Sequence, residues 1–363
     1  MLYEKLIFSM LPSVGDKIGK KILSSVSLEE LFLEGSNCLD KVPDMTPRLM
    51  RKIKLSIKDK ELWKRAENEL NFMEKNNVRM TFLTDQDFPM RLKYHDDCPN
   101  LLFYKGTLPQ NPLRTLAIVG TRKSTDYGAK VMHRFLEDLI PFGVTIVSGL
   151  AYGIDTIAHR ESLDFKYTNI SVLAHGLQMI YPQVNHVLAK RISENGCLLT
   201  EFKSSATPER ENFPRRNRIV AGLSDAVLVV ESAKKGGALI TAEIANGYNK
   251  DVFSFPGRID QPLSEGCNYL IRDNKAALIT CAKDLVKMMN WEKNKKRGQT
   301  SLFVELNAIE SQVVDIVRRE AVVAFDFLVG EMKIRPGILS GILLELEFKG
   351  LLTPMPGNYF RLN

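Results

Sequence analysis

The chain has 363 residues, with 50 Lys and Arg against 43 Asp and Glu and a formal net charge of +7. At 44% hydrophobic and 26% charged it is a globular polypeptide long enough for two or three domains, and its basic balance points to an acidic partner, nucleic acid or an anionic surface. It contains no run of 18 apolar residues, which excludes a helical membrane span.

The first 60 residues hold 11 Lys and Arg against 8 Asp and Glu and carry a faint repeat. LPSVGDKIGKKI (Leu11 to Ile22) aligns with VPDMTPRLMRKI (Val42 to Ile53). Each has an apolar residue, a proline, a tight turn and then a basic amphipathic helix. The first unit resembles a helix-hairpin-helix, whose helix N-terminus would offer free N–H groups to a DNA phosphate. The usual hairpin has two close glycines; Ser13 stands at the first, and the second unit has none. A DNA-contacting hairpin and a small helical, SAM-like accessory domain over 1–60 both stay open. Glu4 and Lys5 interrupt the start, MLYEKLIFSMLPSVG, so no secretory signal is expected.

Over 61–290 short apolar runs alternate with helical patterns. Strands are predicted at 115–120, 144–149, 169–175, 197–202, 226–232 and 251–257, with helices such as 127–143 and 240–249 between them. Apolar strands alternating with helices predict a parallel sheet covered on both faces, an α/β Rossmann-like doubly wound domain. WEKNKKRGQ (291–299) carries four basic residues against one acidic and opens a linker predicted over 291–306. Helices at 307–321, 323–332 and 337–349, then two short strands around Pro356-Gly357-Asn358, outline a winged helix over 307–363. Residues 300–363 hold 6 basic against 8 acidic side chains, so this unit lacks the footprint of a DNA reader. A protein contact or a structural role is expected of it.

Ligands of an open parallel sheet bind beyond the carboxyl ends of its strands. After the first core strand comes Gly120-Thr121-Arg122-Lys123-Ser124. Gly120 permits a tight turn, Ser124 or Thr125 can cap the next helix, and Arg122 and Lys123 stand where an anion would meet its N-terminus. Gly149 ends the second strand, and Asp155 and His159, four apart, can pair on one helix face. Gly236 and Gly237 open another helix. NFPRRNRIVAG (Asn212 to Gly222) loads Arg215, Arg216 and Arg218 onto a helix that precedes a buried strand. A solvated helix end is the plain reading. Convergence with Arg122 and the glycine turns would instead make a basic, phosphate-sized pocket, which arginine suits through its planar fork of donors. G-x-G-x-x-G, the P-loop and metal-ligand spacings are all absent, and the five cysteines are scattered with no C-x-x-C. Neither a cofactor nor a metal is expected, and the cysteine usage fits a reducing cytoplasm.

In order and spacing, VGTRKSTDYG, SGLAYGIDTIAH, YPQVN, FPRRNRIVAGLSDAVLVVES, GALITAEIA, VFSFPG and GCNYLI are similar to the DprA/Smf family of DNA-processing proteins. The resemblance covers most of residues 80–285. It implies a cytoplasmic protein, not an enzyme, that binds and protects single-stranded DNA and helps load the RecA recombinase on it during natural transformation. It also implies a homodimer through the Rossmann-like domain. The DNA-binding residues expected on this basis are Gly120, Thr121, Arg122, Lys123, Ser124, Gly149, Asn185, Lys203, Arg215, Arg216, Asn217, Arg218, Gly236, Gly237 and Asn268, with no catalytic residue. Gln183 follows the Tyr-Pro pair where many members have lysine, and Tyr152 and HRES (159–162) also depart, so Arg215 and Lys203 are expected to compensate. The alternative is a nucleotide phosphoribohydrolase of the lysine-decarboxylase-like group. KGGALITAE keeps Gly236, Gly237, Thr241 and Glu243 of that group's loop but lacks its proline and sets Thr241 one residue late.

Overall fold

The computed structural model describes residues 2–33, 37–293, 306–355 and 357–362. It divides into two compact units, 1–294 and 295–363.

The first unit opens with helices α1 (Leu2–Met10), α2 (Asp16–Ser25), α3 (Leu28–Leu33), α4 (Pro47–Ile57) and α5 (Lys60–Asn76). Thr46 and Asp59 accept N–H bonds at the starts of α4 and α5, and Asn77 ends α5 in the left-handed region. The predicted boundary near residue 60 is not a break in packing. Leu62, Ala66 and Met73 of α5 share a core with Leu6, Phe8, Ile22 and Ile53.

The sheet follows: β1 (Val78–Phe82), α6 (Met90–Lys93), β2 (Leu101–Gly106), β3 (Thr115–Val119), α7 (Asp126–Leu139), β4 (Thr145–Ser148), α8 (Ile154–Asp164), β5 (Asn169–Val172), α9 (His186–Glu194), β6 (Gly196–Thr200), α10 (Asn212–Leu223), β7 (Ala226–Val229), α11 (Gly237–Gly247), β8 (Asp251–Ser254), α12 (Glu265–Arg272), β9 (Ala277–Leu278) and α13 (Ala282–Met288). The nine strands lie in the order β1-β2-β6-β5-β4-β3-β7-β8-β9. From β6 to β9 every pair is parallel, while β1–β2 and β2–β6 are antiparallel. Residues alternate between two cores, as the pleat requires. Ala117, Val119, Val227 and Val229 pack with α10 and α11. Leu116, Ile118, Ala226 and Leu228 pack with α7, α8 and α13. Burial on both faces is why these strands read as unbroken apolar runs. The six predicted strands all form. Sequence reading missed β1, β2 and β9, which are edge strands or join the sheet outside the strand–helix alternation.

The second unit is a winged helix: α14 (Ala308–Glu320), β10 (Val322–Ala324), α15 (Phe325–Met332), α16 (Pro336–Phe348), β11 (Leu352–Met355) and β12 (Tyr359–Leu362), with sheet order β10-β12-β11. Sequence reading missed β10. Most of the predicted linker, 294–305, lies outside the described residues, as does Pro356 of the predicted turn. Helix α16 bears Glu345 and Glu347 and no basic side chain. Removing residues 300–363 is therefore expected to leave single-stranded DNA affinity within about a factor of two, because that segment holds fewer basic than acidic side chains. Fluorescence anisotropy on the truncated chain checks this.

Candidate nucleic-acid interface

Strand β3 lies between β4 and β7, so the loops after these three strands meet where the strand order reverses. In the loop after β3, Thr121 N–H donates to the Glu231 carbonyl at 2.7 Å, and Ile154 N–H donates to the Thr121 carbonyl at 3.1 Å. The buried Glu231 carboxylate accepts from Thr125 N–H at 2.9 Å and from Thr125 Oγ1 at 2.5 Å. Thr125, rather than Ser124, caps α7, its Oγ1 accepting from Gly128 N–H at 3.2 Å. A Cβ at Gly120 would lie 2.5 Å from the Ile154 side chain, so glycine is what lets α8 start against this turn. The loop is thus clamped at both ends, and Arg122 and Lys123 stand exposed on it.

Helix α10 brings the arginine cluster to the same edge, but its three arginines have different fates. Arg216 is 5% exposed. It donates to the carbonyls of Gly149 at 2.6 Å and Val172 at 2.5 Å, and through Nε to Asn217 Oδ1 at 3.1 Å. It therefore plugs the carboxyl ends of β4 and β5, close against Gly149, where any side chain would strike the guanidinium. Its charge faces buried Asp155, whose carboxyl is raised above its ordinary range by burial, an effect Arg216 opposes. Arg218 is also buried. It donates to Glu201 at 2.6 Å, to Asp16 of α2 at 3.0 Å and to the Asp97 carbonyl. It thereby joins the N-terminal helices to the sheet. Only Arg215 reaches solvent, paired with Glu201 at 3.2 Å and lying 5.2 Å from the Phe202 ring centroid.

The remaining expected residues also divide. Asn185 is buried and donates to the Leu150 carbonyl at 2.9 Å and to Thr156 Oγ1 at 2.8 Å. Asn268 holds Gly257, accepting from its N–H at 3.1 Å and donating to its carbonyl at 2.9 Å. Gly236 precedes α11 and touches Ser232, while Gly237 faces open space. Lys203 is half-buried after β6, and its pKa is lowered, first by burial and then by the charge of Arg65. Asp155 and His159 do not form the expected pair. His159 Nδ1 lies 2.9 Å from Asn169 Oδ1, and Asp155 accepts from Ala151 N–H at 3.3 Å.

Sequence reading missed the aromatic side chains. The Arg122 guanidinium lies 4.9 Å from the ring centroid of Phe213, in the first turn of α10. Tyr181 meets Phe213 edge-on at 6.2 Å. His175 fixes Tyr181 by accepting its N–H at 3.2 Å on Nε2, while Nδ1 faces the Gly176 carbonyl at 2.9 Å. The Phe-Pro and Tyr-Pro pairs were visible in the sequence, but nothing local tied them to Arg122. Together they make a cationic rim with a flat aromatic wall, suited to a phosphate and the base beside it. Among the described residues no group of three or more His, Cys, Asp or Glu could hold a metal ion. No helix among them is long and apolar enough to cross a membrane.

Residues 79–290 match the family model described as DNA recombination-mediator protein A, and residues 304–358 match the DprA winged helix domain. The protein Smf of Synechocystis is 34% identical over 327 residues, 80% of this chain and 82% of that protein. The X-ray structure of DNA processing protein A from Streptococcus pneumoniae superposes with a TM-score of 0.61 at 30% identity, covering 80% of this chain and 98% of that one. DNA processing protein A from Helicobacter pylori, described for its single-stranded DNA binding mode, superposes with a TM-score of 0.53 at 28% identity. It covers 59% of this chain and 98% of its own.

Proposed function

Because this chain belongs to the DNA recombination-mediator protein A family, we propose that it binds single-stranded DNA at the carboxyl edge of its parallel sheet. The observation that carries this reading is the Arg122–Phe213 stack at 4.9 Å on a clamped, glycine-started turn. A phosphate meets Arg122, Lys123 and the N-terminus of α7, and the neighbouring base stacks on Phe213. Contacts of this kind read charge and π-faces rather than base edges, so binding tolerates sequence.

The reading extends to protection of the bound strand, loading of the RecA recombinase during natural transformation, a cytoplasmic location and a homodimer through the Rossmann-like domain. Family membership supports these, and the burial of Cys38, Cys98, Cys197 and Cys267 suits a reducing compartment. The protein acts by binding rather than catalysis. The alternative hydrolase loop is poorly placed for chemistry, since Thr241 is buried and Glu243 lies exposed, 3.6 Å from Lys275.

The test is anisotropy with labelled oligonucleotides across salt. Tight, sequence-tolerant binding to single strands and weaker binding to blunt duplex are expected, with a log–log salt slope of about −0.7 per phosphate neutralised. Equal or higher affinity for duplex would refute the reading, and so would release of free adenine from AMP by the purified protein.

A further inference from the structure

A second concentration of positive charge lies away from the crevice. Residues 47–65 hold eight basic side chains and two acidic ones. All eight are exposed: Arg48, Arg51, Lys52, Lys54, Lys58, Lys60, Lys64 and Arg65. No ion pair joins any of them to an acid among the described residues. On α4 they occupy one side. Ile53 is buried, and Leu49, Met50 and Ile57 pack inward with it. At 100° per residue, Arg48, Arg51 and Lys58 fall on the opposite face, with Leu55, 64% exposed, in their midst. Trp63 Nε1 donates to the Ile57 carbonyl at 2.7 Å, which locks the corner between α4 and α5 and sets an aromatic ring beside the basic face. Eight like charges without an acidic partner repel one another and destabilise the fold modestly. A polyanion would relieve that repulsion.

The helix-hairpin-helix unit in the sequence is not this surface. Its α2 turns inward, with Asp16 on Arg218 and Gly19 against Asn100. The basic corner is instead joined to the crevice. Glu69 of α5 is buried and accepts from Ser204 N–H at 2.8 Å and Ser204 Oγ at 2.9 Å. This holds α5 against the loop after β6. Arg65 on α5 is close enough to act on Lys203 of that loop. Arg215 lies next along the edge, sharing Glu201 with Arg218, and the Arg122–Phe213 stack follows two residues earlier on α10.

We propose that a single strand held in the crevice continues past Arg215 and Lys203 onto the Arg65 end of α5 and across the cationic face of α4. This gives the protein a second, backbone-only DNA contact surface. The inference rests on the crevice reading, and its test separates the two.

The variant is Arg51→Ala, Lys54→Ala and Lys58→Ala together. These side chains make no ion pair and are exposed, so circular dichroism should match wild type. The probes are oligo-dT of about 6 nucleotides, within the span of one binding module, and of about 25, beyond it. The short probe is expected to bind the triple variant as it binds wild type. The long probe is expected to lose between about 10- and 100-fold at roughly 0.1 M salt, with its salt slope reduced by about 2. Equal affinity of variant and wild type for the long probe overturns the track, and so does an equal loss on both probes. A third arm uses phosphatidylglycerol vesicles: if the variant loses vesicle binding while the long probe is unaffected, the face serves a lipid surface and the proposal fails. Arg122→Ala controls the crevice. If it leaves the short probe unaffected the crevice reading fails, whereas its loss alongside an inert triple variant fails only the track.

Discussion

Arg122→Ala is expected to weaken single-stranded DNA binding by about 1.5–3 kcal/mol, the range for a hydrogen bond to a charged group. Phe213→Ala is expected to cost about 1–3 kcal/mol, the range for loss of one stacked base. The double variant should lose less than the sum. Arg122 lies over the Phe213 ring, so each removal also frees the other to move, and contacting residues couple by about 0.5–3 kcal/mol. The fold should survive, since Arg122 is exposed and Phe213 only half-buried. A double-mutant cycle by anisotropy checks this. Strict additivity would mean that the two groups serve different nucleotides, and wild-type affinity for Arg122→Ala would move the binding site elsewhere.

Arg216→Met should act on stability instead. Arg216 is buried beside Asp155 and donates to the Gly149 and Val172 carbonyls, so its loss leaves a buried carboxylate without its counter-charge and two carbonyls without this donor. Breaking a buried pair on one side costs about 3–5 kcal/mol. The loss depends on pH in a definite direction. The Asp155 carboxyl already lies above its ordinary value through burial, with Arg216 pulling it down. A carboxyl raised in the folded state favours folding below its unfolded pKa, and that contribution is lost as pH rises through the folded pKa. Without Arg216 the folded value rises further. The variant should therefore be penalised more near pH 7 than near pH 4.5. Adding Asp155→Asn should recover part of the stability at pH 7, because no buried charge then remains. Urea unfolding at the two pH values measures both effects. A pH-independent loss without rescue would show that the pair is not the cause.

The same comparison corrects an expectation for Arg218. The sequence placed it with Arg122 among the expected DNA contacts. Its guanidinium instead meets Glu201, whose side chain is 6% exposed, and Asp16, so Arg218→Ala strands the Glu201 carboxylate and weakens the docking of α2.

The parallel strands were legible in the sequence because burial on both faces demands continuous apolar runs, and the helix starts because glycine and threonine mark tight turns and caps. The winged helix followed from three amphipathic periods and a turn. The fate of each arginine was not legible. Arg215, Arg216 and Arg218 are alike in local sequence, and their roles depend on acids and carbonyls from distant segments: Asp16 lies 202 residues from Arg218, and the Gly149 carbonyl 67 from Arg216. Helix α10 is oriented by Ile219, Val220 and Leu223 packing onto the sheet. That rotation turns Arg216 and Arg218 inward and leaves Arg215 at the surface. Phe213 became part of the site for the same reason, since the loop carrying Arg122 reaches its ring only once β3 and α10 are packed side by side.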